Sequence, residues 1–183
     1  VPGCYPTASI LGLLPVIPYL QQNSKIILDA KSGISGAGKS SVENGLEEDI
    51  KENFKSYNVG FHRHQPEIKD FLKTEFNLDH EIIFIPHLLP LFRGEYVTLY
   101  CEVSQNDLDL NELYESYYEK HKLVRVKEKG EIAEIKEVIN TFYCDISVSY
   151  AFQSNTIVVN SAIDNLLKGA ASQAIQCLDI MSS

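Results

Sequence analysis

Cys4, near the amino end of the chain, has the surroundings of a reactive thiol. It follows Gly3 and precedes a segment with Pro6 at a typical first helical position, which predicts a helix over residues 5–14. Unpaired N–H groups and the positive end of a helix dipole stabilise a thiolate, the nucleophilic form of cysteine, and so lower the pKa of the thiol. We therefore expect Cys4 to be a nucleophile, although a buried structural cysteine fits the same local pattern.

Two histidines, His62 and His64, have the chemistry to move a proton for such a nucleophile. Being two residues apart, they would share one side of an extended segment. His62 is the candidate general acid–base group, and His64 is assigned to substrate binding. The alternative is a pair of solvated loop histidines. A metal site is not indicated, because further ligands are not evident in the sequence.

Residues 33–40 form a Gly- and Ser-rich segment after a predicted strand. Its N–H groups, with Ser35, Gly36 and Lys39, could bind a phosphate or carboxylate, or it could be a plain surface turn. The same segment satisfies the P-loop pattern G-x-x-x-x-G-K-[ST]. An NTPase is nevertheless disfavoured, because the residues that follow are polar and interrupted by Gly45 and no later strand ends in a convincing Walker-B aspartate.

Two later residues are also candidates for contacts with ligands. Arg93 follows a Pro-rich turn, and its guanidinium could pair bidentately with a substrate carboxylate or phosphate or form a structural ion pair. Asn165 begins the last predicted helix, where its amide could serve as a cap.

The composition limits the classes of function. The chain has 183 residues, enough for one domain with a substantial core, and 16 basic against 25 acidic residues give a net charge of -9. This balance disfavours nucleic acids and anionic membranes as partners. No apolar run approaches the roughly 20 residues that span a bilayer. Four cysteines without a CxxC pair are typical of free thiols in a reducing compartment.

The elements that must position these residues follow from the hydrophobic patterning. Helices are predicted over residues 5–14, 65–76, 111–121 and 164–181, and strands over residues 25–30, 53–59, 80–85, 95–104, 123–126, 145–152 and 156–160. Pro86 is expected to close the third strand. Because several strands follow one another with no helix between them, we expect an α+β fold with a mixed, largely antiparallel sheet and helices on one face.

Five ordered blocks give the chain a family resemblance. They are PGCYPTA at 2–8, DAKSGISGAG at 29–38, HRHQPEI at 62–68, PHLLP at 86–90 followed by Arg93 and Gly94, and AIDNLLKGA at 162–170. Together they resemble the N-acetyl-gamma-glutamyl-phosphate reductases. The resemblance implies a domain similar to the catalytic domain of glyceraldehyde-3-phosphate dehydrogenases, with Cys4 as the thioester-forming nucleophile and Asn165 facing the nicotinamide.

The resemblance also implies a partner domain and a reaction. In that family a Rossmann domain binds NADP, and the part seen here, residues 1–183, supplies the cysteine, the substrate pocket and the contacts of a homo-oligomer. The chain contains no G-x-G-x-x-G unit, so we expect the cofactor domain to be largely missing, the closing helix 164–181 to pack against it, and this chain alone to be inactive. The reaction is reductive dephosphorylation of an acyl phosphate in arginine biosynthesis, in the cytoplasm or, in a eukaryote, in an organelle matrix. A non-catalytic assembly fragment is the remaining alternative.

Overall fold

One seven-stranded sheet organises the chain in the computed structural model, which describes residues 1–38, 40 and 42–182. The strands are β1 Lys25–Ser32, β2 Lys55–Ser56, β3 Glu81–Leu88, β4 Glu95–Glu102, β5 Val124–Val126, β6 Cys144–Tyr150 and β7 Thr156–Ile163. Their order is β2-β3-β1-β4-β7-β6-β5. Only β1 with β3 and β5 with β6 pair in parallel, so the predicted mixed, largely antiparallel sheet is confirmed.

The α-helices are mostly short. They are α1 Cys4–Leu13, α2 Glu47–Ile50, α3 His64–Phe76, α4 Leu110–Tyr118, α5 Ile135–Val138 and α6 Ser172–Ser182. Further turns are 3-10 helical at Leu14–Tyr19 and Ile34–Ala37 and π-helical at Leu167–Ala171, and Val42–Leu46 is a kinked turn that is not helical at Asn44 and Gly45. Among the described residues, no helix is both long and apolar enough to cross a membrane.

The main core lies on one face of the sheet because apolar residues alternate along the central strands. On β4, Val97, Leu99 and Cys101 are at most 1% exposed. Helix α1 packs directly over β4 and β7. The hydroxyls of Tyr114 and Tyr118 on α4 donate hydrogen bonds to main-chain oxygens of α1, which fixes α4 beside it.

The second face of the sheet is covered less completely. The one-turn helix α5 covers part of it, where Val138 packs against Ala162 and Tyr96. Ile83, Ile85 and Tyr100 are only partly buried. The prediction of helices on one face therefore holds for α1, α3 and α4, and α5 is the exception.

Several predicted boundaries are wrong, among them the end of the strand predicted over residues 156–160, which continues to Ile163. Strand β3 continues through Pro86 to Leu88. Because the Pro86 carbonyl accepts from Tyr57 N on the side of the two-residue strand β2, its missing N–H removes no bond to β1. The strand predicted over residues 53–59 has only two residues, and the closing helix starts with a π-helical turn at Leu167.

Candidate active site

Cys4 is the first residue of α1, which begins one residue before the predicted start. Gly3 holds it there through two hydrogen bonds, because its N–H donates to Glu67 Oε1 at 2.9 Å and its carbonyl accepts from Thr7 N at 2.9 Å. The π-helical turn Leu167–Ala171, which follows β7, packs against Cys4. A Cβ atom at Gly169 would lie only 2.7 Å from Cys4 Cβ, so this close approach requires glycine.

Cys4 opens into a cleft of about 760 Å³. The cleft brings together residues that the sequence separates widely, among them Cys4, Gly36, Tyr57, His62, Arg63 and His64. Of the predicted site residues, Cys4, Gly36, His62 and His64 are thus assembled at one place. A cleft of this size with convergent polar groups has the features of a small-molecule site.

The two histidines lie close together with different environments. Their ring centroids are 4.9 Å apart. His62 Nδ1 accepts a hydrogen bond from the backbone N–H of His64 at 3.2 Å, so the neutral ring carries its proton on Nε2. His64 instead occupies the space beside Gly3, where a Cβ atom would lie 2.4 Å from His64 Nε2.

Burial keeps both imidazoles neutral. It lowers the pKa of His62, with a further contribution from the Arg63 charge. Burial, His62 and Arg63 together lower the pKa of His64 to about 4. Neutral rings can act as proton donor or acceptor near pH 7, which the chemistry at Cys4 needs.

Tyr5, Tyr57 and Phe84 pack around His62 and form what we call the aromatic wall. His62 contacts the rings of Tyr5, Tyr57 and Phe84, with centroids 5.2–5.7 Å away. Burial raises the pKa of Tyr57 to about 12. The wall is therefore uncharged near neutral pH and limits the access of water to the histidines.

Opposing effects act on the pKa of the Cys4 thiol. Burial raises it most and the neighbouring Glu95 carboxyl raises it further, whereas the N–H groups at the start of α1 lower it. The net pKa lies well above the ordinary value. The expectation of a lowered pKa is wrong here, because the helix terminus is present but a buried carboxyl faces the sulfur.

The remaining predicted residues have structural partners. Arg93 donates to Asn140 Oδ1 at 3.0 Å and forms an ion pair with buried Asp164. Asn165 accepts from Gly94 N at 2.8 Å and donates to Ser35 Oγ at 2.9 Å. None of Arg93, Ser35 and Asn165 belongs to the described lining of the cleft. Lys39 lies outside the described residues.

Asp164, rather than Asn165, caps the start of the closing helical segment. Its Oδ1 accepts from the N–H groups of Leu166 and Leu167, both at 2.9 Å. Capping by Asn165 is therefore wrong, and its amide instead ties the Ser35 loop to the end of β7.

The geometry after β1 does not resemble a P-loop. Ile34–Ala37 form a 3-10 turn, and in the described residues beyond it the helical backbone is interrupted at Asn44 and Gly45, before the four-residue helix Glu47–Ile50. A phosphate-binding P-loop opens into a long helix. Within the described part of the chain, no group of three or more metal-ligating side chains is present either.

Sequence reasoning missed two residues of this site, Arg63 and Glu95. Arg63 lies between the two histidines and brings a positive charge into the cleft. Glu95 could have been noticed in the sequence, because it lies on the same face of the predicted strand as the apolar residues Val97, Leu99 and Cys101. A charged side chain at a core-facing position is unusual and marks a functional candidate.

Comparison with known proteins identifies relatives for nearly the whole chain. The family model described as semialdehyde dehydrogenase, dimerisation domain, matches residues 4–165. A relative from Halothermothrix orenii, named N-acetyl-gamma-glutamyl-phosphate reductase, is 45% identical over 184 residues, covering 98% of this chain and 53% of the relative. A relative of the same name from Thermoanaerobacter sp. (strain X514) is 42% identical, with the same coverage. The chain spans about half the length of these curated relatives.

Solved structures agree on the fold. Aspartate semialdehyde dehydrogenase II from Vibrio cholerae superposes with a TM-score of 0.78 at 16% identity, covering 99% of this chain and 61% of that one. A probable aspartate-semialdehyde dehydrogenase from Pseudomonas aeruginosa gives 0.79 at 14% identity, covering 100% and 61%. At such low identity the likeness concerns the fold alone.

Proposed function

Because the chain belongs to the semialdehyde dehydrogenase family through its dimerisation domain, we propose that it is the catalytic and subunit-contact part of an N-acetyl-gamma-glutamyl-phosphate reductase. The proposed reaction, a step of arginine biosynthesis, is the NADPH-dependent conversion of N-acetyl-gamma-glutamyl phosphate to N-acetylglutamate 5-semialdehyde. One observation carries the proposal: Cys4, at the start of α1, shares a cleft with two neutral histidines and an arginine.

Cys4 is the nucleophile in this mechanism. Its sulfur attacks the acyl carbon, the bond to phosphate breaks, and a thioester forms. When NADPH is bound, it supplies the hydride that reduces the thioester. The thiohemiacetal then breaks at its C–S bond, which releases the aldehyde and regenerates the sulfur nucleophile.

His62 is the proposed acid–base group for the substrate oxygen. Its tautomer supports this role, because the bond from His64 N to Nδ1 leaves the proton on Nε2. This Nε2–H would donate a hydrogen bond to the substrate oxygen, sharing its proton as negative charge forms there on hydride addition, and would keep the proton when the carbonyl re-forms and the C–S bond breaks.

Substrate binding is assigned to His64, Gly36 and Arg63. A guanidinium recognises carboxylate and phosphate groups, and among the described residues Arg63 has no ion-pair partner that would occupy it. Ser35 supports this site through its bond to Asn165, and Lys39 stays a predicted anion contact. Arg93 is better explained by its ion pair with Asp164.

Asn165 does not fit a direct contact with the nicotinamide in this structure. Both atoms of its amide are hydrogen-bonded and the residue is 2% exposed. We therefore assign it to positioning the Ser35 loop. The proposed Rossmann domain would hold NADPH, and α6 is the proposed packing element because Ile175 and Leu178 are more than 60% exposed.

The proposal is tested by replacing Cys4 in the full-length enzyme. Cys4→Ser should lower turnover by several orders of magnitude, because a serine hydroxyl without an activating base is a poor nucleophile. Cys177→Ser is the matched control, since Cys177 is also a free, half-buried thiol but lies on α6. Mass spectrometry should detect an acyl adduct on Cys4 when substrate is given without NADPH. Near-normal activity of Cys4→Ser would overturn the assignment.

A further inference from the structure

Glu95 is an unusual buried group. Its residue is 0% exposed, and neither carboxyl oxygen has a well-aligned hydrogen bond. Among the described residues, it forms no ion pair with a lysine, arginine or histidine. Burying an unpaired carboxylate costs several kcal/mol of folding free energy, so a carboxyl group in this position is either protonated or has a functional role.

The fold places this carboxyl beneath Cys4. Glu95 is the first residue of β4, between Ser32 of β1 and Ile163 of β7. It shares the core-facing parity of Val97, on the face that α1 covers. A Cβ at Gly169 would touch both Cys4 Cβ and Ile163 Cδ1, which shows that Cys4 lies over this point of the sheet.

The sulfur and the carboxyl therefore act on each other directly. The Cys4 thiol and the Glu95 carboxyl are close enough for each to shift the pKa of the other, while neither carboxyl oxygen has a hydrogen-bond partner among the described residues. The other titratable groups that face Glu95 are Tyr5, Tyr57 and Cys144. All are neutral at neutral pH, so among the described residues that act on Glu95 there is no cation to offset a second negative charge.

We propose that Glu95 is a further catalytic residue, which accepts the proton of the Cys4 thiol when the thioester forms and returns it to the sulfur when the aldehyde leaves. The proposal rests on the proposed function only in taking Cys4 as the nucleophile. It explains how a half-buried thiol beside a buried carboxyl becomes a thiolate, since proton transfer moves the negative charge from oxygen to sulfur and adds none.

Each of the two half-reactions moves one proton between the Cys4 sulfur and the Glu95 carboxyl. In the first, the S–H bond breaks, the proton moves to a Glu95 carboxylate oxygen, and the sulfur electron pair forms the bond to the acyl carbon as phosphate leaves. In the second, the C–S bond breaks with its electron pair on sulfur, and the Glu95 O–H returns its proton to that sulfur. Glu95 is thus neutral while the thioester exists, which suits its burial.

A shared proton gives the pair a distinctive titration. Burial raises the pKa of Glu95 to about 8. Above that pH the pair carries one negative charge, and the thiolate form, with the proton on Glu95, reaches a constant fraction. An independent thiol would instead become about tenfold more ionised for each pH unit below its pKa.

The test is the pH dependence of alkylation of Cys4 by iodoacetamide, followed by mass spectrometry of the Cys4 peptide. In the unmodified chain, we expect the rate to rise to pH 8 and then to increase less than about twofold to pH 9. In Glu95→Gln the same interval should give about a tenfold increase, because no carboxylate competes for the charge. A tenfold rise in the unmodified chain would overturn the proposal, and this result does not depend on whether the variant folds.

Glu81→Gln is the control for the loss of one charge. Glu81 is exposed, pairs with Lys25, and lies on β3. Its profile should match that of the unmodified chain, and a profile like that of Glu95→Gln would overturn the specific role of Glu95. Alkylation requires neither substrate nor NADPH. Failure of the Glu95 proposal is therefore distinguishable from failure of the proposed function, which is decided by the activity of Cys4→Ser.

Discussion

At the scale of single residues, the protonation of Cys4 is the central question. The sulfur is at a helix start, which favours the thiolate, and beside a buried acid, which disfavours it. The neutral histidines complete a site in which each proton has a defined place. Cys4 and His62 were candidates from the sequence because short motifs surround them, and their roles stay predictions. Glu95 was not recognised, since its importance comes from a pairing with Cys4 that only the folded sheet creates.

The two histidines should differ in their effect on catalysis. Replacing His62 with Asn keeps an acceptor for His64 N and removes the proton on Nε2, so the maximal rate should fall by roughly 10²–10⁴-fold. His64→Asn should act mainly on the Michaelis constant. Steady-state kinetics of both variants in the full-length enzyme decides this. A larger loss of maximal rate in His64→Asn would exchange the two roles.

Glu95 should make the stability of the fold depend on pH. Its pKa is raised from 4.5 to about 8 on folding, so its contribution to stability is complete below pH 4.5 and is lost as the pH rises through 8. Glu95→Gln should therefore gain stability relative to the unmodified chain between pH 5 and pH 9, with each pKa unit worth about 1.4 kcal/mol. Urea unfolding at both pH values measures this. An equal difference at the two pH values would contradict it.

At the scale of elements, the π-helical turn Leu167–Ala171 packs against Cys4. Sequence patterning predicted a regular helix here, because hydrophobic periodicity does not register the single extra residue of a π-turn. That turn carries Gly169 against the first residue of α1. The helix α3 and most of the strands were predictable to a greater extent, since apolar periodicity and alternation are local signals, whereas the strand order depends on non-local pairing and was not predicted.

Gly169→Ala should therefore disturb Cys4 directly. The new Cβ would lie 2.7 Å from Cys4 Cβ, which forces a shift at the start of α1 and should slow alkylation of Cys4 several-fold. Gly12→Ala is the matched control, because its Cβ would meet the flexible end of Leu99 at 2.8 Å. We expect it to lower the melting temperature and leave alkylation of Cys4 unchanged. Equal rates for both variants would argue against a positioning role for Gly169.

At the scale of the whole molecule, we expect the second sheet face, opposite α1, to form the contact between subunits. It presents the partly buried Ile83, Ile85 and Tyr100, and the matching family is described as a dimerisation domain. Ile83→Asp would place a charge in an apolar interface and should shift the oligomer toward monomer. Ile132→Asp, at an exposed apolar side chain on a loop, is the control. Sedimentation velocity distinguishes the species, and an unchanged profile for Ile83→Asp would exclude this face.

The contact between Cys4 and Gly169 also has a consequence for the time course of folding. The two residues are far apart in the sequence, and such non-local contacts form slowly because a long loop must close first. The nucleophile therefore acquires its final environment only after β7 and the turn beyond it have docked. During refolding, Cys4 should pass from the reactivity of an unfolded thiol to that of a buried one as one of the last events. The reactivity of Cys4 during refolding therefore reports when the structure around it is complete.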